Sequence, residues 1–251
     1  MQLEICCGDP MSIFAAKEGG AKRIELCSGL AEGGVTPSYA MIKTAVESGI
    51  PMINVLIRPR PGDFLYSKEE LKLMQSDIRN AIREGATGIV TGVLTAEGEI
   101  DVEAMQNLID IARNEREDID ITFHRAFDVS KDIAKSLDDI IRLGCNTLLT
   151  SGMAQNAVKG MTHIKKLTEL AGEKILIMAG GGVNPSNACE IIKITGVKAI
   201  HSTARKPFPS KMKFRRPLVS MGIQGLDEYS MLSTSAETVA NLLKCISLCE
   251  N

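Results

Sequence analysis

The chain lacks an excess of charge of either sign. Its 251 residues carry 29 Lys and Arg against 31 Asp and Glu, a formal net charge of −2. No general affinity for nucleic acid or an anionic membrane follows from that balance. The basic stretch from Lys206 to Arg216 is local; it reads as a solvated loop, with an anion site as the alternative. No apolar run approaches the ~20 residues that span a bilayer. The opening Met1-Gln2-Leu3-Glu4-Ile5-Cys6 places Glu4 inside its own apolar patch and has no basic start, so it does not read as a signal peptide. The expected location is the cytoplasm. The seven cysteines include no CxxC pair and no Cys/His cluster of zinc-finger spacing. They are expected as reduced thiols, not as a disulfide framework. There is no low-complexity linker and no Gly-rich dinucleotide fingerprint after the first strand, where Cys7-Gly8-Asp9-Pro10 stands instead.

What is present is a regular alternation. Short apolar runs at Gln2–Cys6, Arg23–Leu26, Pro51–Ile57, Gly88–Gly92, Ile119–His124, Thr147–Thr150, Lys174–Met178 and Lys198–His201 read as strands. Amphipathic stretches such as Ser67–Arg83, Asp101–Arg113, Lys131–Leu143 and Ser186–Ile194 read as helices between them. Ser67 with Glu70, Asp101 and Ser186 are cap signals, and Gly19-Gly20, Gly49, Gly85, Gly144, Gly172 and Gly196 are stop signals. Eight βα units predict a single-domain (β/α)8 TIM barrel over residues 1–204. Residues 205–251 form a C-terminal extension. Its helix, Ser235–Leu248, is expected to pack on the barrel or on another subunit of a homodimer or higher homo-oligomer.

Barrel interiors are normally filled by branched apolar side chains. Side chains alternate along a strand, and here one parity is polar. Glu4 and Cys6 share a face of the first strand, Glu25 and Cys27 of the second, Asn54 and Arg58 of the third, Thr122 and His124 of the fifth. Burying a carboxylate is costly unless it is paired. Arg58, Arg60, His124 and Arg125 are the candidate partners of Glu4 and Glu25. His124, at a strand end beside Arg125 and near Asp128, is a candidate acid–base; His163 reads as surface. After the seventh strand, Gly180-Gly181-Gly182 lets backbone amides approach a ligand. With His201-Ser202-Thr203-Ala204-Arg205 it forms a candidate phosphate site of the kind barrels place after strands seven and eight. Cys145, Cys189, Cys245 and Cys249 read as packing residues. Cys6, Cys7 and Cys27 cluster at the ends of strands one and two, and soft thiolates suit Cu(I). Layering in a barrel offsets neighbouring strands, so Cys6 and Cys27 are expected at different heights.

These segments resemble the CutC family of copper-homeostasis proteins. The resemblance rests on Leu3-Glu4-Ile5-Cys6, Gly19 to Leu30, Glu32 to Ser38, Ile57 to Ser67, Thr122-Phe123-His124-Arg125-Ala126-Phe127-Asp128, Leu149-Thr150-Ser151-Gly152, Gly180-Gly181-Gly182-Val183-Asn184, His201 to Arg205 and Met212-Lys213-Phe214. It implies a cytoplasmic barrel associated with copper, with Cys6 and Cys27 matching the family's proposed Cu(I) ligands. The turn after Cys6 departs from the Val-Asp-Ser of many relatives, and Cys7 stands there as a third sulfur or a simple substitution.

Two functions compete, with copper ion or a small anion as the partner. The first is Cu(I) binding by Cys6 and Cys27. The second is an enzyme for a small anionic metabolite, phosphorylated or not. In it Glu25, His124 and Arg125 are catalytic, and Arg58, Arg60, Ser151, Gly181, Gly182, Ser202 and Arg205 bind the anion. A non-catalytic barrel acting through its tail is a third.

Overall fold

The computed structural model describes residues 1–216, 218–219, 225 and 227–249. Eight parallel strands close into a barrel in chain order. They are β1 (Gln2–Cys7), β2 (Arg23–Leu26), β3 (Met52–Leu56), β4 (Gly88–Thr91), β5 (Asp120–Phe123), β6 (Thr147–Thr150), β7 (Leu176–Ala179) and β8 (Ala199–Ser202). Closure is made by β8 on β1, which sets His201 opposite Glu4. The helices are α1 (Pro10–Glu18), α2 (Tyr39–Glu47), α3 (Lys68–Arg83), α4 (Val102–Glu115), α5 (Ile133–Arg142), α6 (Met161–Ala171), α7 (Ala188–Thr195) and α8 (Ala236–Cys249).

Strand parity divides the core. Ile5, Ile24, Ile53, Val55, Ile89, Ile121, Leu148, Ile177 and Ile200 join the main apolar core with the buried helix residues. Cys6, Cys27, Leu56 and Val90, of the opposite parity, form a small separate cluster, and Leu149, Met178 and Ala199 another. Strands buried on both faces explain the near-continuous apolar runs in the sequence.

Helix starts follow local chemistry. Ser67 caps α3 through a full capping box with Glu70. Asp101 caps α4, accepting from the Ala104 amide. Ser186 does not cap the seventh helix; its hydroxyl goes to Asn184 Oδ1 inside the preceding turn, and α7 begins at Ala188. The basic stretch after β8 is partly a strand. β9 (Arg205–Pro209) pairs antiparallel with β10 (Ser230–Thr234), a hairpin that the two prolines and exposed lysine conceal from pattern reading. The hairpin is tied to the barrel where Ser233 Oγ donates to Asp9 Oδ1 at 3.0 Å. α8 then lies against α7 and α1, burying Val239, Leu242 and Ile246. No helix among the described residues is long and apolar enough to cross a membrane.

Candidate functional site

The polar parity of β1, β2, β3 and β5 builds the floor of the site. Glu4 is fully buried. Arg23 Nε donates to its Oε2 at 2.7 Å and Asn54 Nδ2 to the same atom at 2.9 Å. His201 Nδ1 meets Oε1 at 2.9 Å. Arg23 also holds Asp120 at 2.9 Å through Nη1. The partners expected for the glutamates were Arg58, Arg60, His124 and Arg125; the structure supplies Arg23 and His201 instead. Arg23 shares the parity of Glu25 and Cys27 at the bottom of β2, so it enters the barrel where Glu4 of β1 lies directly opposite in register. Burial acts to raise the Glu4 pKa, but the hydrogen bond from His201 and the charge of Arg23 outweigh it and hold the carboxyl at about 2.

Above that floor opens a cavity of about 410 Å3 at the C-terminal ends of the strands, the face where barrels of this kind carry chemistry. One wall is built from β1, β2 and β8. The Sγ atoms of Cys6 and Cys27 are 3.6 Å apart. The two cysteines do sit at different heights: Cys6 is opposite Glu25, and the Cys27 amide donates to Cys7 O. Both thiols still reach the same point because Cys27 extends past the end of β2. Glu25 Oε2 lies 3.5 Å from His201 Nε2. Ligand atoms of Cys6, Glu25 and His201 all fall within 4.8 Å of one another, the only such cluster of three among the described residues. The hydrogen bond with Cys27, then burial and the Glu25 charge, push the Cys6 thiol up. Burial raises the Glu25 carboxyl. Burial alone would lower the His201 pKa, but Glu25 and Glu4 outweigh it and raise it. Cys7 belongs elsewhere. It has the opposite parity, lies in the outer apolar core, and its Sγ is directed at Ile5 O, so it is not a third sulfur of this wall.

The rest of the mouth comes from β3 and β7, which flank that wall, and from β5. Arg58 is buried, with Nη1 donating to Gly34 O at 2.7 Å and Nη2 to Gly62 O at 2.8 Å. It braces two loops, and its Nε has no partner. His124 is buried beside Phe64, ring centroids 5.0 Å apart. Its Nδ1 accepts from the Ala126 amide at 3.2 Å, which puts the ring proton on Nε2. That Nε2 is buried without a partner. Burial, then the Arg58 charge, lower the His124 pKa to about 3. At neutral pH the ring is therefore uncharged and offers the cavity an Nε2–H donor. Arg125 is fixed by Asp128 at 2.7 Å and by Ser151 Oγ at 2.7 Å.

Other expected anion ligands divide sharply. Gly181 and Gly182 line the cavity with φ of +91° and +78°. Ser202 also lines it, but its hydroxyl donates to Val183 O at 2.6 Å and serves the loop. Ser151 is fully buried and engaged with Asp128, Ala154 and Arg125. Arg60 is a correction. It is not among the residues that line the mouth and is bound instead to Glu70 at 2.5 Å and Asp63 at 2.8 Å. Arg205 is another, lying in β9 outside the cavity lining. His163 turns its Nδ1 to Gly152 O at 2.9 Å. Among the cysteines read as packing, Cys189 and Cys249 bring their sulfurs to 2.7 Å between α7 and α8.

The family model described as CutC family matches residues 1–206. The family protein CutC of Bacteroides thetaiotaomicron is 44% identical over 247 residues, 98% of each chain. That of Vibrio parahaemolyticus is 42% identical over 240 residues, 96% of each. A solved CutC structure from Streptococcus agalactiae is 37% identical with a TM-score of 0.75, covering 81% of this chain and 98% of that one. Thiamine phosphate pyrophosphorylase from Pyrococcus furiosus, at 17% identity and a TM-score of 0.59 over 100% of this chain and 97% of its own, shares the fold alone. On a matched model, on relatives spanning nearly its whole length and on the same barrel, this chain belongs to the CutC family, named for copper homeostasis.

Proposed function

We propose that this chain binds Cu(I) as cargo at the barrel mouth, through Cys6 and Cys27. The observation that carries the reading is the 3.6 Å separation of the two buried sulfurs. Two metal–sulfur bonds of about 2.3 Å span up to about 4.6 Å, so one ion reaches both. Thiolates are the soft donors that select Cu(I), and Glu25 and His201 stand beside them as harder donors. The Cys6 thiol is raised well above its ordinary range, so metal uptake must expel protons. All seven cysteines are free, which supports work in a reducing compartment such as the cytoplasm.

The test is a Cu(I) titration of the reduced protein against a competing chelator. One copper per chain is expected, falling to none in the Cys6→Ser, Cys27→Ser double variant. Unchanged stoichiometry in that variant would sink the reading. The Cys189 and Cys249 pair, whose sulfurs also meet, is the control: Cys189→Ser leaves the mouth intact and should still take up one copper per chain.

A second reading, turnover of a small anion at the same mouth, is favoured by one observation: the unpartnered Nε2–H of His124 at the cavity. Melting-temperature shifts with organic phosphates and organic acids test it. An absence of any shift removes it.

A further inference from the structure

The rest of the mouth has no use for a soft cation. Gly181, Gly182 and Val183 form a turn whose carbonyls are all taken. Gly181 O accepts from the Ala157 amide, Gly182 O from Asn184 and Asn187 side chains, Val183 O from Ser202. The three successive amides of the same residues donate to no protein acceptor among the described residues, although Gly180 and Asn184 on either side do donate. All three residues line the cavity. A row of unspent amides in a turn, two of them on glycines of positive φ, makes an anion-binding concavity.

A cation is fixed beside that turn. Asp128 orients Arg125 through Nε, and its remaining capacity is met by Ser151, Thr150 and Met153. Ser151 and Ala154 take Nη2. Nη1 is left over. It lies against Gly181 so closely that a Cβ there would stand 3.3 Å from it and 3.2 Å from Ser151 Cβ. Glycine at this position is what lets the guanidinium close on the turn. The buried Nε2–H of His124, which also lines the cavity, is a further donor without an acceptor. An orphaned buried donor is costly and calls for an explanation.

We propose that the mouth binds a small phosphate monoester, its phosphate held by the Gly181, Gly182 and Val183 amides and Arg125 Nη1, and a carbonyl or hydroxyl of its organic part held by His124 Nε2. This deepens the second reading by naming the ligand class, and it does not depend on copper. Four convergent donors suit the three free oxygens of a phosphate ester better than the two of a carboxylate. A cavity of about 410 Å3 is at the lower end of ordinary small-molecule sites, which run to roughly 300–1,000 Å3. The assignment narrows the ligand set read from the sequence: Arg60 and Arg205 are outside the cavity, and Ser151 and Ser202 only support the loops.

The experiment is a titration of the 15N-labelled, reduced, copper-free chain with glycerol 3-phosphate and with inorganic phosphate. The amide resonances of Gly181, Gly182 and Val183 are expected to shift with both probes. Unmoved amides at millimolar probe overturn the proposal without any variant. Arg125→Gln should weaken both probes by at least about tenfold, as loss of a charge-assisted contact does, with partial rescue by Arg125→Lys. Should Arg125→Gln fail to fold, Arg125→Lys alone is read, and unchanged affinity there counts against the site. His124→Phe should weaken glycerol 3-phosphate and leave inorganic phosphate unaffected; equal loss of both overturns the assigned orientation. Binding of both probes without turnover of any phosphate ester would remove the enzymatic reading and leave the site standing. Copper stoichiometry, measured separately, is untouched by either outcome.

Discussion

The two walls of the mouth are built from the same kind of strand end, yet they solve burial in opposite ways. On the β1, β2 and β8 side, every charged group meets a partner of opposite sign. Glu4 has Arg23, Asn54 and His201, and Glu25 has His201. The two sulfurs meet each other, and Cys27 Sγ also reaches Cys7 O. On the β3, β5 and β7 side, donors are in surplus: Arg58 Nε, His124 Nε2 and the Gly181–Val183 amides have no acceptor among the described residues. The first wall is a closed network with a soft opening, and the second is a row of hydrogen-bond donors waiting for an anion. Satisfied charge and unsatisfied donors in one cavity are what a structural floor and a ligand subsite look like side by side.

The largest effect expected is total loss of copper from the Cys6→Ser, Cys27→Ser chain, with the phosphate response of the Gly181–Val183 amides kept; loss of both would mean that the walls are one site. Next is Arg23→Met, which strands Glu4 and Asp120 in the barrel floor. Breaking a buried pair by removing one partner costs about 3–5 kcal/mol, read as a lowered denaturant midpoint. A change under about 1 kcal/mol would show that the floor is not the network described.

A smaller effect is expected in acid. His124 falls from 6.5 to about 3 on folding, so the unfolded chain binds its proton first. Its contribution is complete above pH 6.5 and is lost as the pH falls toward 3, at up to ~1.4 kcal/mol per pH unit. Glu4, lowered from 4.5 to about 2, adds a loss in the same direction below pH 4.5. His124→Asn should flatten stability between pH 6.5 and 4.5 while leaving the steeper loss below; an unchanged profile contradicts the burial of a neutral ring. The smallest effect belongs to Arg60→Ala. Its ion pairs are partly exposed and screened by solvent, so the denaturant midpoint should barely move. Neither copper nor phosphate binding should respond.

The barrel was legible because eight apolar runs and their glycine stops are local signals. Ser67 with Glu70 and Asp101 marked helix starts for the same reason. The hairpin of β9 and β10 was not legible, since its pairing joins Arg205 to Thr234 across a polar interval and its strands bury little. Within the site, parity was enough to bring Glu4, Cys6, Glu25, Cys27 and His124 to the interior. It did not supply partners, because those depend on register. Arg23 was the missed residue. It has the inward parity, two residues before Glu25, but a cation at a strand start reads as exposed until the neighbouring strand is aligned. Arg60 failed for the converse reason: it lies beyond the strand, where two prolines break the alternation.

The Glu4 and His201 contact has a consequence for how the site is made. Cys6 and Cys27 are 21 positions apart, while Glu4 and His201 are 197 apart. During synthesis the thiols leave the ribosome together near the start, whereas the imidazole that completes their surroundings arrives with the last barrel strand. Contacts of such long sequence separation form late. A nascent chain therefore offers two neighbouring sulfurs well before it can enclose anything between them. The charge network of the floor, assembled only when β8 docks on β1, is the step that converts an open pair of thiols into a chamber.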